Sequence, residues 1–217
     1  IITQKSGNMN LGIPGVMYVG GICGVIGAFM YEQSLPSPDA LNPTLAVLIP
    51  TFSCLLACLL MGLLFCFLTV TLRANQNVTG LALSIFGTGV GQFICEYMRV
   101  SEGGYIAISN NLKGFFQNSP FPQFLQDIPV VGPVLFGSSV FFYIAVILAV
   151  VLFIFLGRSR KGLYLRSVGE SPATADAAGI NVARYKYLAT IIGGGVSAIG
   201  GMVYIMTIAG CVWNHEG

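Results

Sequence analysis

The 217-residue chain is 55% hydrophobic and only 8% charged, with a mean hydropathy of +0.81. Soluble domains average about 25% charged residues, so this composition excludes a soluble enzyme or binding module and points to an integral membrane protein. The net charge of +2 is small, and its uneven placement along the chain carries more information than its size.

Five stretches, 6–31, 40–72, 74–95, 128–157 and 187–215, lack Asp, Glu, Lys and Arg. Each exceeds the roughly 20 residues that a helix needs to cross about 30 Å of hydrocarbon. The expected fold class is therefore all-α, a polytopic transmembrane helical bundle with about five spans. Residues 1–217 read as a single transmembrane domain. The chain does not open on Met, and 6–31 is too long and lacks the basic segment of a cleaved signal; the reading is a piece of a longer protein.

The first segment, Gly7-Asn8-Met9-Asn10-Leu11-Gly12-Ile13-Pro14-Gly15, is too rich in Gly, Asn and Pro for a regular helix, yet it runs directly into the apolar residues 16–30. Irregular backbone at membrane depth survives only where protein or a water-filled cavity covers it. Two readings follow. One is a broken-helix element beside a solute path, with Asn8 and Asn10 as path residues; the other is an inner loop that starts a helix at Pro14. The second stretch, 40–72, would be roughly 50 Å long as one helix, so it must tilt, kink or protrude. Pro43 and Pro50 lie near its outer end, which places the core span at 46–70. The polar run from Ala74 to Thr79 reads as a short inner connection, where the Asn77-Val78-Thr79 sequon carries no meaning.

In the third stretch Gly80, Ser84, Thr88, Gln92 and Glu96 recur every four residues, with Gly87 and Gly91 beside them. Four-residue steps advance about 40° beyond a full turn, so Ser84 to Glu96 sweep roughly 120° of helix surface. Polar groups at membrane depth are expensive and usually face a cavity, which makes Ser84, Thr88, Gln92 and Glu96 candidates for a solute path. The competing reading is that the glycines simply let another helix approach closely. We expect packing for the glycines and the path for Gln92 and Glu96.

Segment 97–133 holds Pro120, Pro122, Pro129 and Pro133 together with Tyr105, Phe115, Phe116, Phe121 and Phe124. It reads as an outer layer at the membrane interface, where aromatic side chains are favoured. The fourth span, about 134–156, is nearly all Val, Ile, Leu and Phe and is expected to face lipid.

Six of the ten basic residues, Arg158, Arg160, Lys161, Arg166, Arg184 and Lys186, lie in the loop 158–186 against only Glu170 and Asp176. This excess makes the loop cytoplasmic. Arg73 falls on the same side by counting spans, while Glu32, Asp39 and 99–127 fall on the other. The loop lacks aromatic interleaving and is tethered at both ends by spans, so no nucleic-acid partner is expected. Within it Ser171 is a good N-cap, Pro172 suits the first helical position, Ala173 to Ala178 are mostly strong helix formers, and Gly179 supplies the terminator. A helix of about two turns cannot stand alone in water and needs the protein's body or a partner to hold it. A new start follows at Asn181. In the last span Gly193, Ser197 and Gly201 repeat at four-residue spacing, flanked by Gly194, Gly195 and Gly200, and form a close-packing face. Trp213 and His215 then mark the outer boundary.

Cys23, Cys54, Cys58, Cys66, Cys95 and Cys211 sit almost entirely in apolar runs, where a thiol behaves as a small hydrophobe. With one histidine far away in sequence, no metal site and no disulfide framework is expected. No paired-carboxylate, Ser/His/Asp or Cys/His arrangement supports catalysis, so the chain reads as a non-enzyme without cofactors.

Three stretches carry a family resemblance: residues 7–15; Thr71-Leu-Arg-Ala-Asn-Gln-Asn-Val-Thr-Gly-Leu-Ala-Leu83; and 163–201 with its Arg166-Ser-Val-Gly-Glu-Ser-Pro-Ala-Thr-Ala-Asp-Ala-Ala-Gly-Ile-Asn181 core. On these the sequence resembles the permease subunits of bacterial ATP-binding-cassette (ABC) importers, in the ribose, simple-sugar and nucleoside branch related to branched-chain amino-acid permeases. The resemblance implies a multi-pass permease of the bacterial cytoplasmic (inner) membrane. It also implies an ABC ATPase subunit, a second permease subunit in a homo- or heterodimer, an extracytoplasmic solute-binding protein and surrounding membrane lipid as partners. The short inner helix would be the coupling helix that fits a groove on the ATPase, giving that role to Glu170, Ser171, Pro172, Ala173, Asp176, Ala177, Ala178 and Gly179. Pro14 departs from the acidic residue expected in many nucleoside-type relatives. The chain has no Gly-x-x-x-x-Gly-Lys-[Ser/Thr] phosphate loop, so ATP hydrolysis is assigned to the partner. Two rivals remain. An ion-gradient-driven secondary transporter wants a buried ionisable relay, for which only Glu96 qualifies, and a channel wants a symmetric filter, which the sequence does not display.

Overall fold

The computed structural model describes residues 1–35, 41–102, 108–117, 137 and 139–208, and every regular element among them is helical. They are the single turn α1 (Ile2–Lys5), α2 (Ile13–Gln33), α3 (Pro43–Cys66) with a π-helical extension (Phe67–Thr71), α4 (Gln76–Glu102), α5 (Asn110–Gln117), α6 (Val140–Arg158), α7 (Arg160–Glu170), α8 (Pro172–Ala177) and α9 (Val182–Thr207). Five of them are long and apolar enough to cross a membrane: Ile13–Gln33, Pro43–Thr71, Gln76–Val100, Val140–Arg158 and Val182–Thr207. These are the five uncharged stretches, trimmed at their ends. Tyr105, Phe121, Phe124, the four outer prolines, Cys211, Trp213 and His215 lie outside the described residues.

The local signals explain most boundaries. α2 begins behind Gly12, with Pro14 in its first turn, where a missing N–H costs nothing. α3 carries Pro50 in its interior; beside it Thr51 Oγ1 donates to the Val47 carbonyl at 2.7 Å. At the other end Thr69 Oγ1 donates to the Phe65 carbonyl at 2.8 Å inside the π-helical extension. Arg73 then takes a left-handed φ of 55° and turns the chain. The polar run 74–79, expected as a connection, mostly becomes the first turn of α4 instead. Asn75 Oδ1 accepts from the backbone N–H of Asn77 at 3.0 Å and of Val78 at 3.4 Å, so these polar residues cap a helix rather than form a loop.

α2 is the centre of the bundle and packs against α3, α4 and α9. Lipid is as apolar as Leu, so helices in a membrane gain from association through close van der Waals fit and interhelical hydrogen bonds, not through the hydrophobic effect. Both devices are present here. On one side of α2, a methyl added at Gly15 would lie 2.7 Å from the Leu83 carbonyl oxygen of α4. On another, a methyl at Gly20 would lie 2.6 Å from the Ala198 Cβ of α9. Toward α3, Ser53 Oγ donates to the Cys23 carbonyl at 2.7 Å. Val16, Val19, Val25 and Ala28 fill the spaces between, with Cys54, Cys58, Met61, Ala198 and Met202 opposite; the cysteines pack as small apolar groups, as the sequence suggests.

α6 differs from the rest. Only 6% of its span is buried, in accord with the lipid-facing expectation. It meets the bundle at its two ends: Phe141 stacks on Phe116 of α5 with ring centroids 5.3 Å apart, and Leu156 joins a small inner cluster with Ile2, Leu165 and Ala189.

Two tests follow from this packing. A methyl at Gly87 would lie 2.8 Å from the Gly15 carbonyl oxygen, whereas one at Gly89 meets nothing within 4 Å. Gly87→Leu is therefore expected to lower stability by about 1–3 kcal/mol in denaturation of the detergent-solubilised protein, with Gly89→Leu close to wild type. For topology, Asn111 and Thr174 are both exposed. On a cysteine-free background, a membrane-impermeant maleimide added outside should label Asn111→Cys and leave Thr174→Cys untouched; the reverse pattern would overturn the orientation.

Candidate coupling surface and solute path

The residues before α2 form an inner anchor. Asn8 is fully buried, and its Nδ2 donates to Thr190 Oγ1 of α9 at 3.2 Å. Thr190 thereby joins the N-terminal loop to α9. Thr3 Oγ1 donates to the Ala189 carbonyl at 3.4 Å. Asn10 serves its own loop, its Oδ1 accepting from the Gly12 N–H at 2.8 Å. Met9 N–H donates to Gln76 Oε1 at 3.0 Å, and Ser84 Oγ donates to the Leu11 carbonyl at 2.9 Å. The irregular segment thus leads into α2 with Asn8 buried and Gly7, Met9 and Leu11 exposed, and it is stitched to α4 through Gln76 and Ser84. Thr190 was not singled out from sequence, because a lone Thr in an apolar run looks like any packing residue.

α4 presents two different faces. Gly80, Leu83, Gly87, Gly91 and Cys95 are buried, and the glycines pack on α2 as expected. The polar series is offset from this line. Ser84 and Thr88 are half-buried, while Gln92 and Glu96 are exposed. Thr88 Oγ1 turns back to the Ile85 carbonyl at 2.9 Å. Gln92 hydrogen-bonds the Tyr18 side chain, and Glu96 Oε2 pairs with the Arg99 guanidinium at 2.8 Å. The exposed face thus carries Gln92 and Glu96 at the rim of the glycine seam, uncovered among the described residues.

The basic loop 158–186 contains more structure than its sequence suggested. Besides the small helix, α7 occupies Arg160–Glu170: Ser159 Oγ accepts from the Gly162 N–H at 2.9 Å as its cap, and Leu165 and Val168 are buried. A Ser followed by apolar residues three apart was the available signal, hidden by the density of charge. α7 ends against the N-terminal anchor, where Gly169 touches the backbone of Lys5 and Gly7 so closely that a Cβ there would collide with the Lys5 carbonyl.

α8 follows at once. Ser171 holds the N-cap position, but its hydroxyl bonds the Thr174 hydroxyl at 2.7 Å rather than a backbone N–H. The C-terminus behaves as read: Gly179 takes φ +80°, its N–H donates to the Asp176 carbonyl at 2.9 Å, and the Ile180 N–H reaches the Ala175 carbonyl at 3.0 Å, a Schellman closure. Asn181 Oδ1 then accepts from the Arg184 N–H at 2.9 Å and opens α9. Ala175 is buried, 3% exposed, and faces the body. Glu170, Ser171, Pro172, Ala173, Asp176, Ala177, Ala178 and Gly179 are all exposed or nearly so. Beside α8 an open cleft of about 730 Å³ is lined by Arg73, Pro172, Ala173, Asp176, Asn181 and Lys186, among others. The arrangement is a small, solvent-facing knob held by one inward alanine and closed at its C-terminal end by the Schellman turn.

Comparison with known proteins shows the family of the chain. The family described as "Branched-chain amino acid transport system / permease component" matches residues 1–217. The chain is 30% identical over 211 residues to the nucleoside ABC transporter permease protein NupC of Lactococcus lactis, covering 97% of this chain and 62% of that protein. It is 31% identical over 211 residues to the guanosine ABC transporter permease protein NupQ of Bacillus subtilis, covering 96% and 62%. It is 32% identical over 206 residues to the putative glucose ABC transporter permease protein TsgC13 of Haloferax volcanii, covering 93% and 55%. The chain therefore spans less than two thirds of the length of these relatives, and no solved structure gives a significant match. With five spanning helices and a full-length family match, the chain belongs to the branched-chain amino acid transport system permease family and is a multi-pass protein of the cytoplasmic membrane.

Proposed function

We propose that this chain is part of the membrane-spanning permease subunit of an ABC importer that moves a small polar solute, a nucleoside or simple sugar, across the cytoplasmic membrane. The observation that carries the reading is α8: a capped helix too short to be stable alone, fixed to the body by Ala175 and exposed on every other side at the basic end of the bundle. Such a knob suits insertion into a partner, and the partner is an ABC ATPase that hydrolyses the ATP. The named relatives transport nucleosides, guanosine or glucose, and these support the solute class.

In this reading force enters at Ala173–Ala177 and leaves by two routes. One runs through α7 to the Lys5–Gly7 backbone pressed on Gly169, and from there through the Asn8–Thr190 bond to α9. The other runs directly from the Gly179–Asn181 junction into α9. Both reach α2, which packs against α9 on one side and α4 on another. The solute path follows the exposed side of α4, with Ser84, Thr88, Gln92 and Glu96 along it. Asn8 and Asn10 contribute by holding the loop at its inner edge. A second permease subunit completes the path, and an extracytoplasmic binding protein delivers solute from outside. Exposure of Glu96 and its pairing with Arg99 favour this reading over an ion-gradient-driven transporter, whose proton relay would be buried.

Ala177→Arg in the full-length permease is expected to leave a folded, membrane-inserted protein that neither co-purifies with the ATPase nor supports ATP-driven uptake, because the added bulk overpacks the contact. Ala175→Arg should instead fail to fold, since it buries a charge in the anchor. Wild-type association and uptake in Ala177→Arg would overturn the coupling role. Gln92→Leu should lower uptake roughly tenfold, about 1.4 kcal/mol in transport efficiency, with ATPase association unchanged; unchanged uptake would reduce the stripe to packing.

A further inference from the structure

A second groove lies on the opposite side of the α8–α9 junction from the cleft beside Arg73. It has a volume of about 600 Å³ and runs between α7 and the first turns of α9, lined by Lys161, Tyr164, Asn181, Arg184, Tyr185 and Leu188, among others. Its lining contains two cations and no acid, and neither Lys161 nor Arg184 makes an ion pair among the described residues. Tyr164 and Tyr185 meet edge to face with centroids 6.3 Å apart, a pair of amphipathic rings of the kind that sits at headgroup level.

The groove is continuous with an apolar track. Leu188 and Ile192, one turn apart on α9, are 47% and 51% exposed. α6, which joins α9 through Leu156 and Ala189 at its inner end, also leaves Ile147, Val150, Val151 and Ile154 uncovered. On α7 itself Leu163, on a different face of the helix from Lys161, is 63% exposed, so the helix carries both charged and apolar surface, as an element at the lipid boundary does. Positive charge and phenolic rings at the water side, followed by open aliphatic surface at membrane depth, complement one occupant: a molecule with an anionic head and hydrocarbon chains.

We propose that the α7–α9 groove binds the headgroup phosphate of an anionic phospholipid from the inner leaflet, with Lys161 and Arg184 holding the phosphate and an acyl chain lying along Leu188 and Ile192. A soluble phosphate would gain nothing from the aliphatic track. The groove shares Ala178 and Gly179 with the proposed coupling surface, so lipid binding and ATPase association are read as two separate measurements.

The test uses the full-length permease in mild detergent, titrated with phosphatidylglycerol, phosphatidylcholine and glycerol 1-phosphate in parallel and read by native mass spectrometry. Phosphatidylglycerol should be retained well above phosphatidylcholine, and glycerol 1-phosphate should not compete. Lys161→Gln and Arg184→Gln should each weaken phosphatidylglycerol binding about fivefold and together on the order of thirtyfold, while the charge-keeping pair Lys161→Arg and Arg184→Lys retains it. Helical content by circular dichroism identifies any variant that fails to fold, and the single variants then carry the test. Equal retention of the neutral lipid, full competition by glycerol 1-phosphate, or unchanged lipid binding in the double glutamine variant would each overturn the proposal. So would loss of ATPase association at unchanged lipid binding, which would assign the two cations to a protein interface.

Discussion

The close approach of three helices to α2 is the constraint on which the rest of this protein depends. In hydrocarbon there is no solvent-exclusion force to press helices together, so contact has to come from backbone-distance fit. α2 achieves it by placing glycines toward each neighbour, and the neighbours answer with Gly87, Ala198 and Met202. A side chain at Gly15 or Gly87 would separate α2 from α4, and with them the polar loop at the inner end, where Ser84 reaches the Leu11 carbonyl. The polar stripe of α4 is thereby held beside the seam, with Gln92 and Glu96 uncovered among the described residues.

The inner end is built on a different principle. There the helices are short, charged and closed by hydrogen bonds rather than packed by aliphatic bulk. Asn181, Ser159 and the Schellman turn at Gly179 satisfy the free ends of three consecutive helices, and free helix ends would otherwise be costly near the membrane. The result is a stiff platform on which α8 is presented. Stiffness matters for a surface that transmits movement, because a partner's displacement is passed on only if the contact does not deform first. Buried Asn8 and Thr190 join that platform to the spans.

Charge placement also separates the two clefts flanking the α8–α9 junction. The one beside Arg73 and Lys186 includes Asp176 and opens next to the exposed helix; the other, between Lys161 and Arg184, is purely basic and opens toward aliphatic surface. Similar volumes thus carry different chemistry. One suits a protein surface of mixed charge and the other an amphiphile.

Much of this was legible in the sequence. Charge-free length located all five spans, because hydrocarbon thickness sets a minimum run of apolar residues. Stereochemistry located α8, since Pro172 and Gly179 have few other roles at that spacing, and the excess of Lys and Arg is the reason to expect it on the cytoplasmic side. Tertiary structure decided what depends on contacts between distant residues. The buried face of α4 is the line through Gly87 and Gly91 rather than the polar series, because Gly87 meets the Gly15 backbone of α2 and the space at Gly91 takes the Tyr18 and Ile22 side chains. Asn8 faces inward because Thr190, far along the chain, offers its hydroxyl. α7 forms beneath a run of charge because Leu165 and Val168 find a surface to cover. Periodicity shows that a helix has a distinct face, but only the neighbour it meets determines which residues that face buries.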